Sequence, residues 1–237
     1  MTELNWPPGR RRRARPSKTP LTREEIVRTA LRLVQAEGID AVSMRRLAAE
    51  FDTGPASFYA HVANKDELLQ LMFDEMCGLV DIPELDPPRW KEQVKQLARA
   101  GHAAMVAHND LARAALATIP SGPNALHISD AMLGMMLAGG IPPRIASWAM
   151  DRIFLYITAD AYEYSIWRRQ AQGAGKQTFI DTVSAGYLEY LREIPAEVYP
   201  NVVQHAEALV GGGPEARFEL GLELLVDGLD KYATSES

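Results

Sequence analysis

Cysteine is almost absent from this chain: Cys77 is the only one in 237 residues. A disulfide framework is thereby excluded, and with it a cysteine-rich zinc site. Long apolar runs are also missing. No segment approaches the roughly 18 consecutive apolar residues that span a bilayer, so no membrane partner is expected. The N-terminal stretch MTELNWPPGRRRRARPSKTP is basic, but no apolar segment follows it as a secretory signal would require. A reducing, cytoplasmic setting is the expectation. The chain contains no phosphate-cradling glycine loop, Gly-x-Ser-x-Gly elbow or His-Glu-x-x-His pair, and no base stands near its cysteine. Gly211-Gly212-Gly213 lies between two helical stretches with no strand before it. No enzyme is expected. His102, His108 and His127 form no metal spacing, so neither a metal nor a cofactor is predicted.

Hydrophobic residues make up 47% of the chain and charged residues 24%, the balance of a globular protein long enough to bury a sizeable core. The net charge of −6 is unevenly spread. Residues 1–70 carry twelve Lys and Arg against nine Asp and Glu; the remaining residues hold thirteen basic and twenty-two acidic groups. A basic front end on an acidic body suggests that only the front end meets a polyanion.

Residues 1–20 combine four prolines with the run Arg10, Arg11, Arg12 and Arg13 and show no apolar periodicity, the composition of a disordered arm. Thr22 and Glu25 form a capping box ahead of Ile26, Ala30, Leu33 and Val34 at helical spacing, and Gly38 ends that helix. Ser43 caps a short helix over 44–51 with Leu47 and Ala48 facing inward. After the breaker Asp52-Thr53-Gly54-Pro55, a third helix is predicted from Pro55 to about residue 61. Asn64 then caps a fourth, reaching about residue 80. Beyond the proline-rich break at 81–88, helices are predicted over 88–107, 109–118, 123–139, 142–171, 176–193, 197–210 and 214–232. No strand periodicity appears. The fold class is all-α: a three-helix helix-turn-helix domain followed by a larger helical ligand-binding and dimerisation domain. The expected division is an arm at 1–20, a DNA-binding domain at 21–81 with its helix-turn-helix at about 44–63, and a regulatory domain at 88–234.

Two short helices packed on a longer one can place small and hydrogen-bonding side chains in a major groove, while neighbouring residues clamp phosphates. In Pro55-Ala56-Ser57-Phe58-Tyr59-Ala60-His61, Phe58 is expected inward and Ser57, Tyr59 and His61 outward, with Lys65 set for a phosphate. Residues 22–69, and above all Phe-Tyr-x-His-Val-x-Asn-Lys-x-x-Leu-Leu from Phe58 to Leu69, resemble the DNA-binding domain of the TetR (tetracycline repressor) family. The resemblance implies base or phosphate contacts from Arg45, Pro55, Ala56, Ser57, Tyr59 and His61, and a phosphate clamp at Lys65. Asp52 stands where members usually carry glycine, and Ala60 where an aromatic is common. Beside such a motif the arginine run is either a solvated tail or an arm that enters the adjacent minor groove.

A looser resemblance to the regulatory domain nearest the tetracycline repressor itself lies in His108-Asn109-Asp110-Leu111-Ala112 and Pro120-Ser121-Gly122-Pro123-Asn124-Ala125-Leu126. It implies an inducer pocket between helices and a repressor released from its operator by a small molecule. A sequence-specific activator or a non-sensing DNA-binding dimer are the alternatives. Two-fold dimers read inverted repeats in double-stranded DNA. Residues 144–169, apolar nearly all round, and 214–232, with a second apolar set at Leu220 and Leu224, are either the dimer helices or central core. His102, Met105, Trp148, Asp151, Phe154, Tyr156, Tyr162 and Trp167 are core or the lining of a pocket. As a pocket they suit a flat, largely apolar inducer.

Overall fold

The computed structural model describes residues 21–51, 53–108, 111–116, 119–171 and 175–233, with the backbone alone at Pro55, Ala56, Lys176 and Gln177. Among the described residues every regular element is helical. The head consists of α1 (Arg23–Glu37), α2 (Met44–Glu50), α3 (Pro55–Tyr59) and the start of α4 (Lys65–Cys77). The body contains α5 (Trp90–Ala107), α6 (Leu111–Ala115), α7 (Pro123–Ala138), α8 (Pro143–Gln170), α9 (Lys176–Glu193), α10 (Pro200–Gln204), α11 (Ala206–Val210) and α12 (Pro214–Asp227). None of the described helices is long and apolar enough to cross a membrane.

The local signals explain the helix starts. The Thr22 hydroxyl accepts from Glu25 N, the Ser43 hydroxyl from Arg46 N, and the Asn64 side-chain oxygen from Glu67 N at 2.8 Å. Each satisfies one of the donors that a helix start leaves unpaired. Gly38 adopts φ 84°, which a side chain would resist, and so turns the chain from α1 into a 3-10 turn at Ile39–Ala41. Ile26, Ala30, Val34, Leu47, Phe58, Val62 and Leu68 close the core of the head.

Several boundaries differ from the periodicity: α3 ends at Tyr59, and α12 ends at Asp227 with a 3-10 turn over Gly228–Tyr232 after it. Helix α4 stops at Cys77 rather than near residue 80, because Leu79 N and Val80 N take the tighter i−3 carbonyls of Met76 and Cys77. The single helix expected over 197–210 is two, α10 and α11. Pro200 keeps Tyr199 out of the helical region, and His205, at φ −112° and ψ 22°, interrupts the spiral.

Helices α5 and α8 pack through the centre of the body, with α7 and α12 against them. Along α5, Lys91, Lys95 and Arg99 face Asp230, Asp227 and Glu219 of the C-terminal segment, the last pair at 2.7 Å. Arg99 holds the Glu219 carboxyl below its ordinary range through that hydrogen bond. The link 81–86 is tied down by Gln93, whose side-chain oxygen accepts from Asp86 N while its amide donates to the Glu84 carbonyl.

The head joins the body through the far end of α4. Helix α7 begins after Gly122, which has no side chain to cap it. Asp74 of α4 supplies the cap from outside: one carboxylate oxygen accepts from Ala125 N at 2.9 Å, and Asn124 Nδ2 donates to the Asp74 main-chain carbonyl at 3.1 Å. A methyl group at position 122 would collide with that carboxylate. Replacing Asp74 with Ala should therefore cost about 1–2 kcal/mol, as loss of an N-cap does, with Asp74→Asn retaining part of it. Urea unfolding of the two variants beside the parent checks this, and equal midpoints would reject it.

Candidate DNA interface and ligand chamber

The candidate DNA interface is built around Phe58. Its ring is fully buried and anchors α3 on the head, with the Phe51 ring 6.5 Å away. With Phe58 inward, Ser57, Tyr59 and Ala60 turn outward; Tyr59 is 49% exposed and meets Phe58 edge-on. His61 is half-buried. Its carbonyl accepts from Arg23 Nε at 3.2 Å, and Arg23 Nη2 also reaches Glu67. Glu67 in turn accepts from Ala63 N. Arg23 thus fastens the start of α1 to the turn that follows the reading helix. Pro55 and Ala56 form the first turn of α3 by their backbone. Asp52 and the arm Arg10 to Arg13 lie outside the described residues.

Arg32 donates to the Thr29 hydroxyl, and the other described cations of the head divide into two groups. Arg23, Arg28 and Arg46 are committed to Glu67, Glu25 and the pair Glu37 and Glu50. Arg45 and Lys65 are exposed and form no ion pair or hydrogen bond among the described residues. Two uncommitted cations flanking a projecting Ser57 and Tyr59 provide what phosphate clamping beside base reading requires. Arg45 and Arg46 are neighbours in sequence with equal charge, and acidic partners in the fold separate their roles.

Next to the head, α4, α5, α6, α7 and α8 line a half-open chamber of about 390 Å³, with Leu116, Ile119 and Pro120 at its edge. That volume is within the range of small-molecule sites. Phe73, Met76 and Cys77 of α4 form one wall, Leu97, Gly101 and Met105 of α5 a second, and Ile128, Ser129 and Met132 of α7 a third. Ala115 of α6 and Met150, Asp151, Phe154, Leu155 and Ile157 of α8 complete it. The lining is almost wholly apolar. The Ser129 hydroxyl is spent on the Ala125 carbonyl, and the Asp151 carboxylate, at the exposed margin, takes Arg152. Among the described residues no group of His, Cys, Asp and Glu could hold a metal ion.

Of the eight side chains read as core or pocket, Met105, Asp151 and Phe154 line this chamber, and the other five are placed elsewhere. His102 bonds Asp160 at 2.7 Å and stacks on Phe218, with ring centroids 4.2 Å apart. Tyr156 stacks on Phe218 at 5.6 Å and donates to its carbonyl at 2.8 Å. Trp148 is 60% exposed under the Arg144 guanidinium. Tyr162 packs partly buried against the core, and Trp167 is half-buried near the end of α8. Helical geometry explains Tyr156: residues 150, 151 and 154 share a face, whereas 156 points well away from it at 100° per residue. The sequence reading missed the α4 wall and Met132. The methionine-rich stretch Met132 to Met136 was a signal for the latter.

Away from the chamber, α8 and α12 expose Trp148, Leu220 and Leu224, while Phe218, Leu222 and Val226 of α12 point into the core. Uncovered apolar side chains thus stand on two helices that pack against each other.

A helix-turn-helix head carrying uncommitted cations, set on an all-helical body with a ligand-sized chamber, defines a one-component DNA-binding regulator. Residues 26–72 match the family described as bacterial regulatory proteins, tetR family, and residues 82–233 match the tetracyclin repressor-like C-terminal domain. The chain therefore belongs to the TetR family of transcriptional regulators, whose members bind operator DNA, dimerise and respond to small-molecule ligands. It is similar to the ActR protein of Streptomyces coelicolor in complex with actinorhodin, with 39% identity, TM-score 0.82, and coverage of 92% of this chain and 100% of that one. The transcriptional repressor DrrR1 of Streptomyces coeruleorubidus is 29% identical over 96% of this chain and 84% of its own length. The class C tetracycline repressor of Escherichia coli is 28% identical over 89% and 91%.

Cys77 lies in the chamber wall but is buried, and burial together with the Asp74 carboxylate pushes its thiol up to about 12. At pH 8 roughly one thiol in ten thousand would be ionised. Iodoacetamide at that pH should leave the native protein unlabelled by mass spectrometry while the urea-unfolded chain reacts; rapid labelling of the native protein would contradict it.

Proposed function

We propose that the protein is a cytoplasmic repressor that binds an inverted-repeat operator as a homodimer and releases it when a flat, largely apolar molecule enters the chamber. The carrying observation is that Phe73, Met76 and Cys77 of the chamber wall lie on the same helix that begins with Lys65 beside the reading helix. Helix α4 is thirteen residues long, about 20 Å at 1.5 Å per residue. A ligand that shifts its inner end moves the head at its outer end. Two-fold dimers need half-sites about 34 Å apart or multiples of that, so a change in head spacing lowers operator affinity as a coupling between two sites. The apolar lining and the similar protein's complex with actinorhodin support the ligand class.

In this reading the chain divides into an arm at 1–20, a DNA-binding domain at 21–81 and a regulatory domain at 88–234. Arg45, Pro55, Ala56, Ser57, Tyr59 and His61 meet bases or phosphates, Lys65 clamps a phosphate, and Arg10 to Arg13 enter the adjacent minor groove. Met105, Asp151 and Phe154 touch the ligand. The exposed apolar face of α8 and α12 joins the two protomers.

Selection of bound sequences from random duplexes at near-physiological salt tests the core of this reading. An enriched inverted repeat is expected; salt-sensitive binding without enrichment would overturn it. On the selected site, Lys65→Ala should weaken all sequences about equally and reduce the salt slope by roughly one. Tyr59→Ala should cost on the order of 1–3 kcal/mol and relax preference at one position per half-site. Quantitative binding to single-base variants of the site separates the two effects.

A further inference from the structure

The head meets the body at a second place besides α4. The 3-10 turn Ile39–Ala41 is fixed to the head by Ile39 and by Val42 just after it, both buried. Asp40 turns outward between them. Its two carboxylate oxygens accept from Arg113 Nη1 at 3.1 and 3.3 Å. Arg113 belongs to α6, whose other four residues are buried. That helix carries Ala115 into the chamber wall, followed directly by Leu116. On the other side of the corner, Glu37 at the end of α1 accepts from Arg46 Nη2 at 3.2 Å, and Arg46 Nε donates to Glu50 at 3.0 Å. Two ion pairs on either side of one rigid corner therefore join the chamber wall to α2, the helix that carries the uncommitted Arg45.

We infer that Asp40 and Arg113 are positioning residues: through them the α6 wall sets the angle of the DNA-reading head and passes chamber occupancy to α2, in parallel with α4. The transmission step rests on the chamber being the ligand site; the positioning step does not. The side chains are 77% and 48% exposed, so one pair contributes little on its own and is weakened by salt. Its leverage comes from what it connects. Both ends are anchored in packed structure, so closing the pair removes angular freedom of the head, and a dimer contains two such pairs. A head freed of this contact loses more orientational freedom on binding its half-site, which lowers affinity. A connection of this kind is established by energetic coupling rather than by proximity.

The test uses the full-length protein and its selected operator at low salt, with Asp40→Asn, Arg113→Gln, the double variant, and the reversed pair Asp40→Arg with Arg113→Asp. Each single variant should weaken operator binding about three- to tenfold. The double variant should be no worse than either, and the reversed pair should regain affinity to within about twofold. These differences should shrink at high salt. With actinorhodin as the probe, the ratio of operator affinities without and with the compound should fall in the single variants and return in the reversed pair. Unchanged affinities, additive losses or a reversed pair as weak as the singles would overturn the positioning role. An unchanged ratio in variants of a responsive parent would overturn the transmission step. A parent that ignores actinorhodin counts against the ligand reading, and the operator cycle then decides the positioning role alone.

Discussion

The carboxylate of Asp74 occupies the position that a capping side chain of α7 would otherwise fill, and the architecture turns on that substitution. Gly122 leaves the N-terminus of α7 without its own acceptor, so the unpaired amides and the positive end of the helix dipole face α4. A charge placed there from another helix fixes both elements at once: the start of α7 is satisfied, and α4 cannot slide without exposing it. The lateral bond from Asn124 to the main-chain carbonyl of Asp74 adds direction to the contact. The end of the helix that leaves the head is thereby registered against the body.

Because α4 is held at that end, its side chains serve two cores. Leu68 and Met72 are buried toward the head, and Phe73, Met76 and Cys77 face the chamber. The chamber wall and the head therefore share one helix. Ion pairs and stacked rings tie the remainder of the body together. The row of Lys91, Lys95 and Arg99 on α5, spaced by four residues, meets acidic partners of the C-terminal segment. The His102, Phe218 and Tyr156 stack ties α5, α8 and α12 together behind the chamber. Exposed ion pairs contribute modestly to stability, but in series they fix register. Along α8, Met150, Phe154 and Ile157 turn toward the chamber, while Trp148 is left uncovered.

The head was legible because its determinants are local. Thr22, Ser43 and Asn64 each satisfy an amide three residues away, Gly38 turns its own corner, and Phe58 buries itself beside exposed neighbours. Such features depend on spacing, which a sequence displays directly. The chamber was less legible because its lining comes from helices far apart in the chain. Periodicity shows that residues 148 to 167 have apolar side chains on several faces, but not which face turns toward α5 and α7. Phe73 and Met76 lie in the fourth predicted helix, and nothing in their own segment indicates a second neighbour.

By itself the sequence determined the helices, most of their ends, the reading motif and the charge contrast between head and body. These follow from short-range capping, side-chain periodicity and composition, none of which requires knowing where a distant residue lies. Tertiary structure decided what depends on two segments meeting. It placed Asp74 at the start of α7, put α4 in the chamber wall, and committed Arg46 to Glu37 and Glu50 while leaving Arg45 uncommitted. It also brought Arg113 to Asp40, seventy-three residues away. Such pairings are set by how rigid helices pack around a shared core, and chain separation carries no record of that packing.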